Sequence, residues 1–174
     1  TTNIGKVTEA VRDIPQSTTT VTKGLINDQG SDTLKDALRN VAGLTFNAGE
    51  GGRTGDNITL RGFSAATDLY LDGMRDVGQY NRDLFNVERI DILRGPASML
   101  FGRGSTGGVV NQESKLPGIN DKTELAATVG TQSYKRGMVD FNKTLGETSA
   151  VRLNVMATDT DLDQDGASVT KYAF

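Results

Sequence analysis

The stretch VERIDILRGPASMLFGRGSTGG, Val87 to Gly108, decides how this chain is read. It opens as an alternating strand, with Val87, Arg89, Asp91 and Leu93 on one face and Glu88, Ile90, Ile92 and Arg94 on the other. Gly95-Pro96 stops it. A short apolar run, Ala97 to Phe101, reads as a turn of helix, and a glycine-rich loop from Gly102 to Gly108 follows. Val109 to Ser114 resumes as a strand. Gly102 to Gly107 matches G-x-G-x-x-G, but a dinucleotide fingerprint needs a helix opening from the glycines, within a βαβ unit. Here a strand follows, and no lysine stands after the loop for a phosphate-binding P-loop.

Working outward, the 174 residues carry no cysteine and no histidine, and the net charge is −3. Disulfides, thiol nucleophiles, Cys/His zinc sites and Ser-His-Asp triads are thereby excluded. Ser105 and Thr106 lack a neighbouring lysine to activate them, so no catalytic constellation emerges and the chain reads as a non-enzyme. Near-balanced charge gives nucleic-acid binding no electrostatic support. No apolar run approaches the roughly 20 residues of a membrane helix. Thr1 to Gly30 has no apolar signal core, so either the chain is cytosolic or a signal has been removed.

Upstream, Asp13-Ile14-Pro15-Gln16 reads as extended or turn, and Ser17 to Thr22 as a short strand. Thr22 to Gln29 suits two helical turns with Gly30 as C-cap. Ser31 is the expected N-cap of a helix over Asp32 to Val41, whose Leu34, Ala37, Leu38 and Val41 share one face. Asn47 to Gly55 is a loop. Asn57 to Phe63 and Leu69 to Asp72 are strands, Asp72-Gly73 is a tight-turn signal, and Met74 to Leu84 is irregular and polar. Arg61 and Arg94 each end a strand before a glycine and fall in register with apolar positions. A buried arginine there needs carboxylate partners, unless it snorkels from the strand end.

After Pro117 the texture changes. Thr123 to Thr131, Met138 to Leu145 and Ala150 to Asp159 alternate apolar with polar over long runs, joined by short connections. Such a dyad suits transmembrane barrel strands, apolar to lipid and polar to lumen, and equally a soluble sheet with one wet face. Asp161 to Gly166 matches the first half of a calcium loop. Its twelfth position is Tyr172 instead of a bidentate Glu, which favours an exposed acidic loop.

The blocks TLKDALRNVAGL (Thr33–Leu44), ITLRGF (Ile58–Phe63), LYLDGMRD (Leu69–Asp76) and VERIDILRGPASMLFGRGSTGGVVNQESK (Val87–Lys115) resemble, in order, the plug domain of TonB-dependent outer-membrane receptors. The likeness is greatest to the ferric-siderophore receptors. It departs at Ala42, where that family usually has proline, and in the Asn111–Lys115 tail. The resemblance implies an α+β plug with a small mixed β-sheet and short helices (residues 1–118), followed by the first antiparallel strands of a transmembrane β-barrel (residues 119–174).

The same resemblance implies localisation in the bacterial outer membrane, with the plug in the barrel lumen and the N-terminus periplasmic. The implied partners are TonB with its inner-membrane energising complex, a ferric siderophore, outer-membrane lipid, and colicins or phage. A TonB box would lie in Thr1 to Thr8 or upstream. No cofactor is implied, because a siderophore supplies the iron ligands itself. The implied ligand-facing side chains are Arg61, Arg75, Gln79, Tyr80, Arg82, Phe85, Phe101 and Arg103. Arg61 and Arg94 would also anchor the plug to acidic residues of the barrel wall, and the glycines would let its backbone pack close to that wall. A soluble plug-like binding or signalling module is the alternative reading.

Overall fold

The computed structural model describes residues 2–4, 7–9, 16–47, 55–97, 101, 106–161 and 168–174, and the chain divides into two compact units, Thr1–Lys115 and Leu116–Phe174. The expected calcium loop lies outside these residues, apart from Asp161.

In the first unit, β1 (Thr2–Ile4) and β2 (Val7–Glu9) pair antiparallel in a small two-stranded sheet. The threonine-rich segment Ser17–Thr22 becomes β3, and Thr22 caps α1 (Lys23–Asp28) by accepting from Leu25 N. Gly30, at φ +60°, turns the chain out of that helix. The next helix is shorter than its periodicity suggests. It spans Leu34–Leu38 (α2), and its N-cap is Thr33, not Ser31. Thr33 Oγ1 donates to Asp36 Oδ2 at 2.6 Å and accepts from Asp36 N. The chain stays extended through Thr33 because Thr33 bridges Asp83, Leu84 N donates to Asp32 O, and Leu34 N donates to Arg82 O.

A three-stranded sheet follows: β4 (Leu44–Phe46), β5 (Ile58–Leu60) and β6 (Phe63–Ser64). The expected strand Asn57–Phe63 is broken here. Arg61 (φ 49°) and Gly62 (φ 84°) form the two-residue turn between β5 and β6, the geometry of a type I′ hairpin. Asp72 and Gly73, as expected, form the matching turn between β7 (Leu69–Leu71) and β8 (Met74–Arg75).

The opening stretch supplies the centre of the main sheet. β9 (Val87–Arg94) pairs antiparallel with β3 on one side and with β10 (Gly108–Ser114) on the other, and β10 pairs parallel with β7. The order is β3-β9-β10-β7-β8, a mixed sheet. Its two faces carry separate cores. Ile90, Ile92 and Val110 pack with Val21, Leu34 and Leu38, while Leu93 and Val109 pack with Tyr70, Ala97 and Phe101. Val87 breaks the expected alternation by joining Ile90 and Ile92. A register shift between Glu113 and Ser114 rotates that end of the ladder.

The second unit is one antiparallel meander: β11 (Lys122–Val129), β12 (Lys135–Thr144), β13 (Ala150–Asp161) and β14 (Ser168–Ala173). The fourth strand went unread in the sequence. Its burial is inverted relative to a water-soluble sheet. Leu125 is 75% exposed and Val129 83%, while Asp140 is 6% and Asn142 4% exposed. Leu125, Val139 and Val155 line up across three strands on the exposed apolar face. On the opposite face Arg152 grips Asp140 through two 2.8 Å bonds, and Asn142 Nδ2 donates to Gly118 O and Asn120 O.

Candidate ligand-facing site

The site is built where the β7–β8 hairpin delivers the chain into the loop Asp76–Arg82. Asp76 N donates to Leu69 O, so the loop leaves from the Asp68 end of β7. Arg75 there is bound to Asp68, a nearly fully buried carboxylate, at 2.9 Å. Its guanidinium carbon also lies 6.0 Å from the Tyr70 ring centroid. Tyr70 in turn meets Phe101 edge-on at 4.6 Å and donates from its hydroxyl to Phe101 O at 3.0 Å. Arg75 and Phe101 thus flank one buried tyrosine.

The loop itself closes around Arg82. That side chain is only 3% exposed. Nε donates to Asp76 Oδ2, Nη1 to Asp56 Oδ2 and Tyr80 O, and Nη2 to Asp76 O and Gly78 O. The Tyr80 ring stacks on the guanidinium at 4.3 Å, and its hydroxyl donates to Asp76 Oδ2 at 2.5 Å. Gly55, at φ +53°, lies under the loop, where a β-carbon would stand 2.8 Å from Tyr80 N. Gln79 and Tyr80 remain exposed on the outer side.

The two aspartates are tuned in opposite directions. Burial pushes the Asp56 carboxyl above the ordinary carboxylate value, against the bonds from Arg82 that pull it down. Partial burial also works to raise Asp76, but the Tyr80 hydroxyl and the Arg82 guanidinium outweigh it and hold Asp76 low. Burial and the bond to Asp76 together raise the Tyr80 phenol.

The structure therefore joins Tyr80 to Arg82, with Gln79 exposed beside Tyr80 in the loop, and joins Arg75 to Phe101 through Tyr70. It does not bring Phe85 to them. Phe85 precedes the Val87 end of β9, where its carbonyl accepts from Lys115 Nζ, whereas Phe101 follows the Arg94 end. Arg103 lies outside the described residues. Asp56, Asp68, Asp76 and Tyr70, which hold the arginines, were missed. The hairpin signal at Asp72-Gly73 could have found Asp68, since the register it sets places Arg75 opposite Tyr70.

Arg61 and Arg94 stand apart from this loop and share a cleft of about 560 Å³ with Ser17, Thr19, Ala42 and Gly43. None of Arg75, Gln79 or Tyr80 lines it. Arg94 is half-buried and donates to Ala42 O and Thr19 Oγ1 at 3.1 and 2.8 Å. Arg61, at its turn, is exposed. Among the described residues no group of three or more His, Cys, Asp or Glu could hold a metal ion.

The mixed sheet with its two hairpin turns, the arginine-centred loop and the inverted meander together define a receptor-plug architecture. The TonB-dependent Receptor Plug Domain model matches residues 10–109, and the chain belongs to that family. It is 41% identical over 154 residues to the probable TonB-dependent receptor BfrD of Bordetella pertussis, covering 88% of this chain and 21% of that protein. The crystal structure of the ferric-catecholate import receptor Fiu of Escherichia coli K12, in its open form, superposes with a TM-score of 0.84 at 36% identity. That match covers 93% of this chain and 24% of the receptor. The siderophore receptor PiuA of Acinetobacter baumannii gives a TM-score of 0.83 at 38% identity, over 90% of this chain and 22% of that one. The chain thus spans less than a quarter of the length of each of these relatives.

Proposed function

We propose that this chain is the plug and first barrel strands of an outer-membrane receptor that imports ferric siderophore with energy supplied through TonB. The observation that carries the reading is the inverted meander. A sheet with Leu125 and Val129 outward and Arg152–Asp140 inward is suited to lipid on one side and a polar lumen on the other. Residues 1–118 form the plug and residues 119–174 enter the barrel. The plug lies within the lumen and its N-terminus faces the periplasm, where TonB engages.

Arg75, Gln79, Tyr80, Phe101 and Arg103 form the ligand face. Arginine donors and aromatic faces complement an anionic, oxygen-rich iron chelate. Since Fiu is described as a ferric-catecholate import receptor, a ferric catecholate is the first chelate to test. Arg61 and Arg94 tether the plug to carboxylates of the barrel wall. The role is transport and not catalysis, and no observation favours the soluble alternative.

The test is radio-iron uptake by iron-starved cells that depend on the intact receptor, with ferric catecholate and ferric hydroxamate chelates compared, with and without TonB. Uptake that requires TonB is expected. No uptake of either chelate would overturn the reading.

A further inference from the structure

Arginines in a ligand-facing loop are usually assigned to the ligand. The bonds of Arg82 forbid that. A guanidinium has five N–H donors, and each of the five finds an acceptor inside the protein: two in carboxylates and three in the carbonyls of Asp76, Gly78 and Tyr80. Arg82 N adds a further bond to Asp56 Oδ2 at 2.9 Å. Nothing of the fork is left for a chelate, and almost none of it reaches solvent.

The acceptors are also informative. Three successive-turn carbonyls and two carboxylates around one cation are the surroundings that a loop would offer a metal ion, and here the side chain two residues past Tyr80 fills them. The loop backbone has no ladder to define it between Arg75 and the Thr33–Asp83 bridge. Beyond the bonds from Asp56 N to Tyr80 O and from Gly78 N to Asp76 Oδ1, its shape is held by the side chain it wraps. The exposed side chains of that shape include Gln79 and Tyr80, beside Val77 and Asn81, and the Tyr80 ring is fixed from beneath by the guanidinium face and from its tip by Asp76.

We infer that Arg82 is a positioning residue for siderophore recognition, an internal template that holds Gln79 and Tyr80 in their ligand-facing arrangement without touching the chelate. The inference rests on the reading of this loop as part of the ligand face. Lysine cannot substitute, because three donors on a point charge do not span carbonyls and carboxylates on opposite sides of a planar fork. Specificity for the chelate then depends on a residue that no ligand contact would reveal.

The experiment uses the intact receptor and a synthetic ferric tricatecholate. Affinity is measured by calorimetry and loop order by amide hydrogen exchange. Arg82→Lys and Arg82→Ala are expected to lower affinity about tenfold or more and to speed exchange across Gly78–Asn81 by about tenfold, with β9 and β10 unchanged. In a Gln79→Ala/Tyr80→Ala background, Arg82→Lys is expected to cost nothing further. Should Arg82→Ala fail to fold, Arg82→Lys and Asp76→Asn carry the same readouts. Unchanged loop exchange in Arg82→Lys would overturn the inference. So would a loss of affinity adding in full to that of the Gln79/Tyr80 variant, since that is the signature of direct contact. If the Gln79/Tyr80 variant itself binds as wild type, the ligand-face reading fails, while exchange still decides whether Arg82 holds the loop.

Discussion

Gly108 stands so close to Leu93 that a β-carbon on it would lie 2.3 Å from the Leu93 carbonyl oxygen. Its φ of +143° is also one that side chains rarely adopt. The neighbouring Gly107 repeats the arrangement against Leu60 O at 2.4 Å. These glycines were expected to admit close packing on a barrel wall. The close approaches on view are to β9 and the β5–β6 hairpin of the same unit.

Gly108→Ala should therefore destabilise the first unit by about 3 kcal/mol or more, because the β9 backbone at Leu93 and Arg94 must give way. Hydrogen exchange of β9 and β10 in the solubilised receptor checks this. Gly118→Ala, with nothing within 4 Å, is the control and should leave exchange at wild-type rates.

Arg61 offers a separation of turn from tether. Its φ of 49° suits glycine better than any branched residue. Arg61→Gly should keep the turn and hold stability within about 1 kcal/mol of wild type. It should nevertheless reduce uptake if the guanidinium tethers the plug. Arg61→Val should instead destabilise the hairpin by roughly 1–3 kcal/mol. Denaturation midpoints and uptake rates, measured on both variants, distinguish the two effects, and full uptake by Arg61→Gly would remove the tether.

The paired aspartates predict opposite pH limbs. Asp76 has a folded value below its unfolded one, so its stabilisation is present above the ordinary carboxylate value and is lost as pH falls through the depressed one. Asp56 has a raised value, so its contribution is complete below the ordinary value and is lost as pH rises through the raised one. Asp76→Asn should flatten the acid loss below about pH 4, and Asp56→Asn the loss above about pH 4. Denaturation across pH, plotted as wild type minus variant, gives slopes of opposite sign. Equal signs would contradict the arrangement of charges described.

Val139 lies in the middle of the exposed apolar face, level with Leu125 and Val155. Val139→Arg should cost about 2–4 kcal/mol of membrane-inserted stability if that face meets the bilayer core. Met138→Arg, one residue along and on the other face, should cost clearly less. Folding into lipid vesicles from denaturant measures both.

Much of this was legible from spacing alone. The long β9 and β10 strands, the Asp72-Gly73 turn, the Ser17–Thr22 strand and the dyad of the meander all follow from local pattern, since a strand's faces repeat every second residue. What escaped depends on distant partners. Thr33 outranked Ser31 as a cap because Asp83, fifty residues on, holds the intervening chain extended. Arg61 entered a turn because Gly62 completes a pair of positive φ values, a combination that Arg-Gly signals weakly. The saturation of Arg82 was invisible, because backbone carbonyls carry no residue identity. Phe85 and Phe101 read as neighbours in chemistry, yet the antiparallel ladder sends them to opposite ends.

The pairing of β3 with β9 sets a schedule for how the first unit comes into being. Ser17 meets Arg94 and Thr22 meets Arg89, each across roughly seventy residues of chain, and β7 waits for β10 to emerge beyond both. Apart from the short β7–β8 hairpin and the consecutive β9–β10 pair, the strands of the main sheet find their neighbours far along the chain. Ordering is deferred until the Val87–Ser114 stretch exists, and then completes together, as expected of a topology rich in long-range contacts. Until that moment β3 is an unpaired edge made of threonines, polar enough to wait in water without recruiting another chain.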